Sequence, residues 1–405
     1  MKRDSNRIRV LYSFPHKLGG GQIDAIAWQH VKNLVDAGAD VLVHPGAIHR
    51  ELPIGIEVQP TLARGSIRIP YRLLGRIRAC ALHDWIVSRR LEKLAGRIDV
   101  VHIWPMAAIR TLKTARRLGI PTVLERPNAH TQYAYDVTQR ECDRLGIAAP
   151  PGYSHTYNEQ ILRQEEEEYR LADCLACPSD FVLRTFIDRG FPLRQLARHQ
   201  YGFDEKTHHP NGRSTNGKSG LTVLYAGACT PRKGLHYALE AWRESPASRD
   251  GTFLVVWQYL PGYPERLASL LDHSSVKVLG YRKDLPDIMR HSDILVLSSL
   301  EEGSALVTSE ARGCGCVLVV SEASGAYCKH MENALVHKVG DVQALAKHFT
   351  LLHENRALLE ELRAASLRTV HEITWSAAGK KLLDLYRNVL SQRRADRASA
   401  EFVHV

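Results

Sequence analysis

Short apolar runs alternate with amphipathic stretches along most of the chain. In the first half, the apolar runs that predict β-strands are 8–12, 40–43, 99–103 and 121–125. The amphipathic stretches that predict helices between them are 23–37 and 107–118. Strands that alternate with helices build βαβ units and a parallel sheet. The pattern therefore predicts a doubly wound α/β domain.

The alternation stops in a polar segment rich in Gly and Asn, 201–220, which is typical of a linker. A second alternating series follows, over 221–225, 235–242, 253–257, 265–271, 276–279 and 285–290. We therefore predict two Rossmann-like domains that face each other across a cleft, where open α/β sheets bind ligands. The predicted parts are a first domain over 1–205, a linker over 206–220, a second domain over 221–374, and a last helix with its tail over 375–405.

The most informative segment is 298–320, which lies between two apolar strands. It contains two glutamates eight positions apart, Glu302 and Glu310, and a small-residue turn, 303–305, that opens a helix. A strand, a small-residue turn and a helix present backbone N–H groups to a phosphate. The helical rise puts the two carboxylates about 12 Å apart, which is roughly the reach of a sugar diphosphate. Because carboxylates bind hydroxyls, the segment predicts a sugar-nucleotide site.

This segment resembles the donor-site signature of the retaining glycosyltransferases of family 4, which have the GT-B fold. The resemblance implies that Glu302 faces the donor sugar and that Glu310 holds the ribose hydroxyls. The backbone amides that it assigns to the diphosphate are those of Gly303, Ser304, Ala305 and Leu306. The family's usual Phe-Gly after the first Glu-Gly is Ser304-Ala305 here, and its usual Pro is Val317. These departures leave the donor sugar open.

A second segment, 225–242, places Arg232 and Lys233 at the start of a predicted helix. Two cations beside the positive end of a helix dipole repel each other unless an anion lies between them, so we expect a diphosphate there. The segment resembles the family's Gly…Lys-Gly donor segment. The arginine that often follows the glycine is Ala228 here, and Arg232 is our candidate for the missing charge. The alternative is a solvated basic loop.

The first predicted domain supplies further candidates. Gly19–Gly21 follow the first strand, and glycines let a backbone approach a ligand closely. Their position resembles the family's glycine loop, which touches the donor phosphate, so Gly20 and Gly21 are donor-binding candidates. The family also has a histidine that faces the donor sugar. His130, just past the strand 121–125, is our first candidate for a catalytic role, and His102 is the second.

Length and composition are those of a globular protein with two domains. The chain has 405 residues, of which 44% are hydrophobic and 24% charged. No apolar run approaches the ~18 residues that a membrane helix needs. The N-terminal stretch is charged and lacks the apolar core of a secretory signal, so we predict a cytoplasmic location.

The formal net charge of +10 is compatible with a nucleic acid, an anionic lipid surface or a phosphorylated substrate. The segment 64–97 holds nine basic residues against two acidic ones, and its apolar residues, among them Ile77, Ala81 and Trp85, fall at helical spacing. A basic amphipathic helix can lie on an anionic membrane, which predicts a peripheral contact at the inner face. The alternative, which we favour slightly, is a domain helix with its apolar face in the core.

The eight cysteines are scattered and predict free thiols. Cys174 and Cys177 form a CxxC, but no second pair or paired histidine stands at zinc-ligand spacing. The CxxC lies in an apolar stretch that predicts a buried strand. We therefore expect no metal ligands from this sequence.

The resemblance extends over nearly the whole chain and implies a retaining, metal-independent glycosyltransferase of GT-B fold, whose last helix crosses back onto the first domain. Its co-substrate is a nucleotide-diphosphate sugar, with no other cofactor, and the acceptor is a sugar, a lipid-linked molecule or a small molecule of glycoconjugate synthesis. A sugar-nucleotide epimerase of the same fold is the nearest alternative. A basic protein that binds nucleic acid or membranes is a further alternative, but no nucleic-acid motif is present, so no nucleic-acid partner is expected.

Overall fold

The computed structural model describes residues 7–64, 67–68, 74–149, 153–213 and 220–402. Two parallel β-sheets, each flanked by helices, account for most of this part of the chain. None of the helices in these ranges is long and apolar enough to cross a membrane.

The first sheet has the strand order β3-β2-β1-β6-β7-β8-β9, and its neighbouring strands pair in parallel. These strands are β1 (Arg9–Leu18), β2 (Asp40–Ile48), β3 (Glu57–Val58), β6 (Val100–Ile103), β7 (Thr122–Glu125), β8 (Cys174–Cys177) and β9 (Leu196–Arg198). A separate antiparallel pair is formed by β4 (Ala63–Arg64) and β5 (Ile67–Arg68). The accompanying helices are α1 (Ile23–Asp36), α2 (Arg76–Lys93), α3 (Ile109–Leu118), α4 (Thr131–Leu145), α5 (Glu159–Leu171) and α6 (Asp180–Ile187).

The second sheet has the order β12-β11-β10-β13-β14-β15 and is also parallel. Its strands are β10 (Thr222–Ala226), β11 (Thr252–Val256), β12 (Val276–Gly280), β13 (Ile294–Leu297), β14 (Val317–Ser321) and β15 (Ala334–His337). The helices of this half are α7 (Leu235–Glu244), α8 (Tyr263–Arg266), α9 (Ala268–Leu271), α10 (Leu285–Arg290), α11 (Leu306–Gly313), α12 (Val342–Glu354), α13 (Arg356–Thr369) and α14 (Trp375–Phe402).

The apolar runs of the sequence become the central strands because helices cover both faces of a parallel sheet. Every residue of β13 is fully buried, as are the first four residues of β14. Local signals set the helix ends: the side chains of Asn158 and Ser179 cap the starts of α5 and α6. Gly119 and Gly146 end α3 and α4 in the left-handed conformation that glycine adopts without strain.

The chain passes between the two halves twice, and the two connecting stretches run next to each other. The first, after β9, runs through Phe203, and the second precedes α14 at Thr374. The Phe203 N–H donates to the Ile373 carbonyl (3.2 Å), and the Trp375 N–H donates to the Phe203 carbonyl (3.3 Å). This paired crossover is the hinge between the two halves.

The last helix returns to the first half, as the resemblance implied. Helix α14 packs against α1, where a Cβ atom on Gly379 would lie 2.6 Å from the Cβ atom of Asn33. Leu382, Leu383 and Tyr386 are buried in the same cluster as the strands of the first sheet. The core of the first half is therefore completed by the C-terminal helix.

Several sequence expectations are adjusted by the structure. The first strand continues to Leu18, and the helix expected over 265–271 is divided into the two short helices α8 and α9. The CxxC is a buried strand, as predicted, and the cysteines of the described residues are free thiols. The predicted domain boundary at 206–220 falls between β9 and β10, and residues 214–219 of it lie outside the described ranges.

The basic segment 64–97 is described in part, and its helix α2 has a different buried face from the one expected. Cys80, Val87 and Leu91 face the core, whereas Ala81 is exposed and Trp85 keeps 47% of its surface exposed. The helix does pack on the first domain, but the expectation that Ala81 and Trp85 belong to its core-facing stripe is wrong. The buried residues of α2 are shifted along the chain by about two positions from the expected stripe of Ile77, Ala81 and Trp85.

Candidate functional site

Strands β10 and β13 are neighbours in the second sheet, so the loops that follow them meet at its carboxyl edge. The loop after β10 carries Arg232 and Lys233 on a single 3₁₀ turn, which ends at Gly234 in the left-handed conformation. The loop after β13 carries Glu301 and Glu302. The sequence-predicted cations and the first predicted glutamate are thereby brought together.

Glu302 is held by three polar side chains. The Lys233 ammonium forms an ion pair with one oxygen of its carboxylate, and the Ser299 hydroxyl donates to the same oxygen at 3.1 Å. Arg232 Nη1 lies 3.6 Å from the other oxygen. The Glu302 carboxylate is therefore fixed in position, with 7% of the residue exposed.

Glu301, which the sequence analysis did not single out, links the two halves. Its Oε2 pairs with Arg232 Nη1 at 3.0 Å, and its Oε1 accepts the backbone N–H of Ala129 from the first domain at 3.0 Å. The residue is fully buried. The only signal in the sequence was its place in the Glu-Glu doublet before the small-residue turn.

The electrostatics of this cluster differ from the sequence-based argument. We expected a phosphate to balance Arg232 and Lys233, but in this structure the carboxylates of Glu301 and Glu302 balance them. Burial and the neighbouring Arg232 guanidinium hold the pKa of the Lys233 ammonium well below its usual value. A diphosphate that entered would compete with the two carboxylates for both cations.

Glu310 stands apart from this cluster, on α11. Among the described residues, no hydrogen-bond donor or cation contacts its carboxylate, and burial raises its pKa to about 7. A largely buried carboxylate without a partner costs free energy. Such a group is suited to accept hydrogen bonds from a ligand's hydroxyls.

The turn before α11 touches the first domain. A Cβ atom on Gly303 would lie 1.7 Å from the Pro127 carbonyl oxygen, so only glycine fits this approach. The Ala305 N–H already donates to the Ser324 carbonyl at 3.2 Å, so that amide is occupied. The N–H groups of Gly303, Ser304 and Leu306 have no acceptor among the described residues and remain candidates for a phosphate.

The glycine loop, Gly19–Gly21, connects β1 to α1. Gly19 has φ +84°, and a Cβ atom on Gly20 would lie 2.7 Å from the Asp24 carboxylate, whereas the space around Gly21 is open. Ile23, which begins α1, lines a cavity of about 120 Å³ together with Pro127 and other residues of the first domain. The loop therefore precedes a residue of this cavity, and the donor-binding role of Gly20 and Gly21 stays a prediction.

A wider cavity of about 710 Å³ adjoins the first one, and the two share Arg76, Tyr135, Ser154 and Ile161. The other residues that line it include the aromatic rings of Tyr153 and Tyr157, the guanidinium group of Arg78 and the amides of Asn158 and Gln160. The pair of cavities forms a groove on the first domain that leads towards Glu301 and Glu302.

His130, the first candidate histidine, lies among aromatic side chains of the first domain. His130 caps α4 by accepting the Gln132 N–H, and its ring packs among Tyr169, Phe186 and Phe191 of the first domain. Burial, with smaller effects from Arg189 and Arg126, lowers its pKa to about 3. The role of His130 at the donor sugar stays a prediction.

His102 lies in the core of the first domain. Its ring stacks on Tyr12 at 4.6 Å between centroids, and its Nδ1 hydrogen-bonds the Tyr386 hydroxyl of α14 at 2.9 Å. The residue is fully buried. This contact makes His102 part of the packing between β6 and the C-terminal helix.

A histidine that the sequence analysis missed does reach the cluster. His155 Nε2 lies 3.7 Å from Glu301 Oε2, and the imidazole lines the 120 Å³ cavity. Burial, together with the charges of Arg232 and Lys233, holds its pKa well below the usual value, so the ring is neutral. His155 lies in an irregular loop before α5, where no periodicity or motif marks it.

Comparison with known proteins finds a family match for the second domain. Residues 220–355 match the family model described as "Glycosyl transferases group 1", which confirms the predicted resemblance for the second domain.

Two curated relatives match part of the chain. An N,N'-diacetylbacillosaminyl-diphospho-undecaprenol alpha-1,3-N-acetylgalactosaminyltransferase of Campylobacter jejuni is 27% identical over 30% of this chain and 32% of its own length. A UDP-Gal:alpha-D-GlcNAc-diphosphoundecaprenol alpha-1,3-galactosyltransferase of Escherichia coli is 27% identical over 27% of this chain. The chain thus matches about a third of each relative, 32% and 29% of their lengths.

Solved structures share the fold over nearly the whole chain. Anabaena Alr3699/HepE in complex with UDP and glucose superimposes with a TM-score of 0.63 at 17% identity, over 94% of this chain and 99% of its own. Sucrose-phosphate synthase from Thermosynechococcus elongatus gives a TM-score of 0.66 at 18% identity, over 95% of this chain and 100% of its own. The predicted fold, with two Rossmann-like domains and a returning last helix, is confirmed.

We expect the substitution Gly303→Ala to weaken the contact between the domains. The added methyl group overlaps the Pro127 carbonyl oxygen, so the turn or the domains must move apart. Small-angle scattering should report a larger radius of gyration, and limited proteolysis should cleave the hinge region faster. Ser304→Ala, which adds no atom at this contact, is the control. Identical scattering and cleavage for Gly303→Ala and wild type would contradict the close approach.

Proposed function

Starting from a second domain that matches the group 1 glycosyl transferases, we propose that the protein is a retaining glycosyltransferase. It would transfer a sugar from a nucleotide-diphosphate sugar to an acceptor hydroxyl in glycoconjugate synthesis. The observation that carries the proposal is the pair of glutamates: Glu302 is held by Lys233, and Glu310 has no polar partner among the residues that the structure describes. The relatives' names, which describe transfer of galactose or N-acetylgalactosamine, support it.

In the proposed donor complex, the unpaired carboxylate of Glu310 accepts hydrogen bonds from the ribose hydroxyls. The diphosphate lies at the N-terminus of α11, against the N–H groups of Gly303, Ser304 and Leu306. The Anabaena neighbour was solved with UDP, which is consistent with a uridine diphosphate donor. Gly20 and Gly21 approach the phosphate from the first domain.

Arg232 and Lys233 stabilise the charge that develops on the leaving diphosphate, which is the largest expected contribution to catalysis. Because these two cations supply the positive charge, the proposed reaction needs no metal ion and no cofactor. As the cations turn to the diphosphate, the Glu302 carboxylate is released towards the donor sugar. Closure of the domains excludes water, so the sugar passes to the acceptor instead of being hydrolysed.

The donor sugar also needs a partner from the first domain. His130 was the sequence candidate, but its ring lies among aromatic side chains. We propose that His155, neutral and 3.7 Å from Glu301, takes this position instead. Activity of His155→Ala and His130→Ala decides between them, since loss of turnover with unchanged donor affinity is expected only for the residue that contacts the reacting sugar.

The groove of 710 Å³ on the first domain is the proposed acceptor site. Tyrosine rings suit a sugar or an apolar chain, and Arg76 and Arg78 suit a phosphate. The two curated relatives act, by their names, on diphosphoundecaprenol-linked sugars. We therefore propose a sugar acceptor that carries a phosphate and a lipid.

The donor assignment is tested with a panel of nucleotide sugars and thermal shift. Binding to the native state stabilises by about 2.7 kcal/mol at a ligand concentration 100 times Kd, so one nucleotide sugar should raise the Tm of the wild type. The shift should disappear in Glu310→Ala and persist in Glu354→Ala, which removes an exposed acid at the end of α12. A panel without any shift would exclude the proposed site. Conversion of the bound nucleotide sugar to its epimer without an acceptor would favour the epimerase.

We expect donor affinity to rise with pH around neutrality. The pKa of Glu310 is raised to about 7, so the carboxyl becomes protonated as the pH falls through that value and accepts fewer hydrogen bonds. If only the ionised form binds, the apparent affinity should increase about tenfold from pH 6 to pH 8. Isothermal titration with a nucleotide sugar measures this. In Glu310→Gln the affinity should be lower and its dependence on pH should be flat; a sloping profile would assign the titration to another group.

We propose that the protein acts in the cytoplasm, with a peripheral contact to the inner face of the membrane through the segment 64–97. Trp85 is exposed on α2, four residues before the exposed Arg89. An aromatic ring beside cations is typical of an interfacial contact. Sedimentation with anionic vesicles should be strong for wild type and several-fold weaker for Trp85→Ser, with Trp28→Phe, a buried site, as the control. Equal sedimentation of wild type and Trp85→Ser would refute this contact.

A further inference from the structure

Three histidines and a glutamate are packed together inside the first domain, away from the proposed donor site. His30 comes from α1, His102 from β6, Glu125 from the end of β7 and His199 from the chain just past β9. Each residue keeps 2% or less of its surface exposed. Buried polar groups are normally paired with one another or bound to an ion, so this cluster requires an explanation.

Glu125 is the anionic centre of the cluster. Its Oε1 accepts hydrogen bonds from His199 Nε2 (2.9 Å) and from the Tyr201 hydroxyl (2.8 Å). Its Oε2 lies 3.4 Å from His102 Nε2. Three groups therefore converge on this one buried carboxylate: His199, Tyr201 and His102.

No lysine or arginine side chain of the described residues contacts the Glu125 carboxylate, so the cluster holds no fixed positive charge. A single negative charge in a protein core is costly without a cation beside it. The missing positive charge is either a proton on an imidazole or a metal ion.

The hydrogen bonds of His30 favour the metal ion. Trp104 Nε1, which can only donate, donates to the Tyr12 hydroxyl (2.7 Å), and that hydroxyl hydrogen-bonds His30 Nδ1 (3.1 Å). Whichever of the two carries the proton, His30 Nε2 is buried without a partner among the described residues. A histidine with one nitrogen held by a neighbour and the other bare has the arrangement of a metal ligand.

We propose that His30, Glu125 and His199 bind a divalent transition-metal ion of the zinc class. Their ligand atoms all lie within 4.8 Å of one another. Zinc–ligand bonds of about 2.0–2.1 Å place tetrahedral ligands about 3.4 Å apart, so the ligand atoms need to move closer by up to about 1.4 Å. His102, 3.4 Å from Glu125, is the nearest fourth ligand. Imidazole ligands select zinc, cobalt or nickel over magnesium and calcium.

Metal binding at this site would release the proton that lies between His199 and Glu125, because a coordinating imidazole nitrogen carries no hydrogen. The ion would join α1, β7 and the chain that leads to the hinge. The next residue, Gln200, donates to the Glu372 carbonyl (2.5 Å) and accepts from Lys381 Nζ (2.6 Å), so it touches both sides of the crossover. The site would therefore be structural, stiffening the hinge, and it does not rest on the proposed transfer reaction.

The test uses the full-length protein, purified without chelators. Plasma mass spectrometry should find about one equivalent of zinc or a related metal in wild type, and dialysis against a strong chelator should remove it and lower the Tm. Adding Co²⁺ to the chelated protein should produce visible absorption bands, since tetrahedral cobalt with nitrogen ligands is coloured. His30→Gln should lose both the metal and the bands. His44→Gln, a buried histidine of the same domain outside the cluster, should keep them.

Two results would overturn the proposal. The first is wild-type protein that holds no metal, shows no cobalt bands and has a Tm that chelation does not change; an internal His199–Glu125 ion pair then supplies the missing charge. The second is metal retained at the wild-type level in His30→Gln, which places the ion elsewhere. The wild-type measurements need no variant, so the proposal can be rejected even if His30→Gln does not fold.

Discussion

The contact on which the arrangement of the cleft depends is the buried carboxylate of Glu301. It holds Arg232 on one oxygen and a backbone N–H of the opposite domain on the other. Removing one partner of a buried ion pair typically costs about 3–5 kcal/mol, because the remaining charge is left without compensation. The approach of Gly303 to Pro127 requires the same closeness of the two domains, and the Arg232 that Glu301 holds also lies 3.6 Å from the Glu302 carboxylate.

The same cluster explains how a site can be ready before its substrate arrives. Arg232 and Lys233 are neutralised within the protein, so no phosphate is needed to keep them buried. Glu310, by contrast, has no such partner in the part of the chain that the structure describes, and its burial raises the pKa of its carboxyl. Arg232 and Lys233 are thus paired without a ligand, whereas the Glu310 carboxylate gains hydrogen-bond donors when a ligand binds.

Much of the fold could be predicted from the sequence, because parallel strands covered on both faces are continuous apolar runs such as Ile294–Leu297. The residues that follow these strands could also be placed, since carboxyl ends of parallel strands meet at one edge. His155 and Glu301 could not be found this way. Their positions depend on how the two domains approach each other, and a periodic pattern within one domain carries no information on that.

The cluster of His30, Glu125 and His199 was beyond prediction for a related reason. Its members are separated by 95 and 74 positions, and each lies in a different helix, strand or loop, so no ligand spacing appears in the sequence. The offset of the buried stripe on α2 has a different cause. Asp84 turns inward to accept N–H groups at the start of α3, and this polar contact overrides the apolar pattern.

The return of α14 to the first domain has a consequence for biosynthesis. Leu382, Leu383 and Tyr386 fill the core beside β1 and α1, yet the ribosome makes them only after the entire second domain. Domains are usually folded in the order of their synthesis. Here the first domain must wait with an open apolar face while the second one forms, so the nascent chain presents a surface that chaperones would recognise until translation is nearly finished.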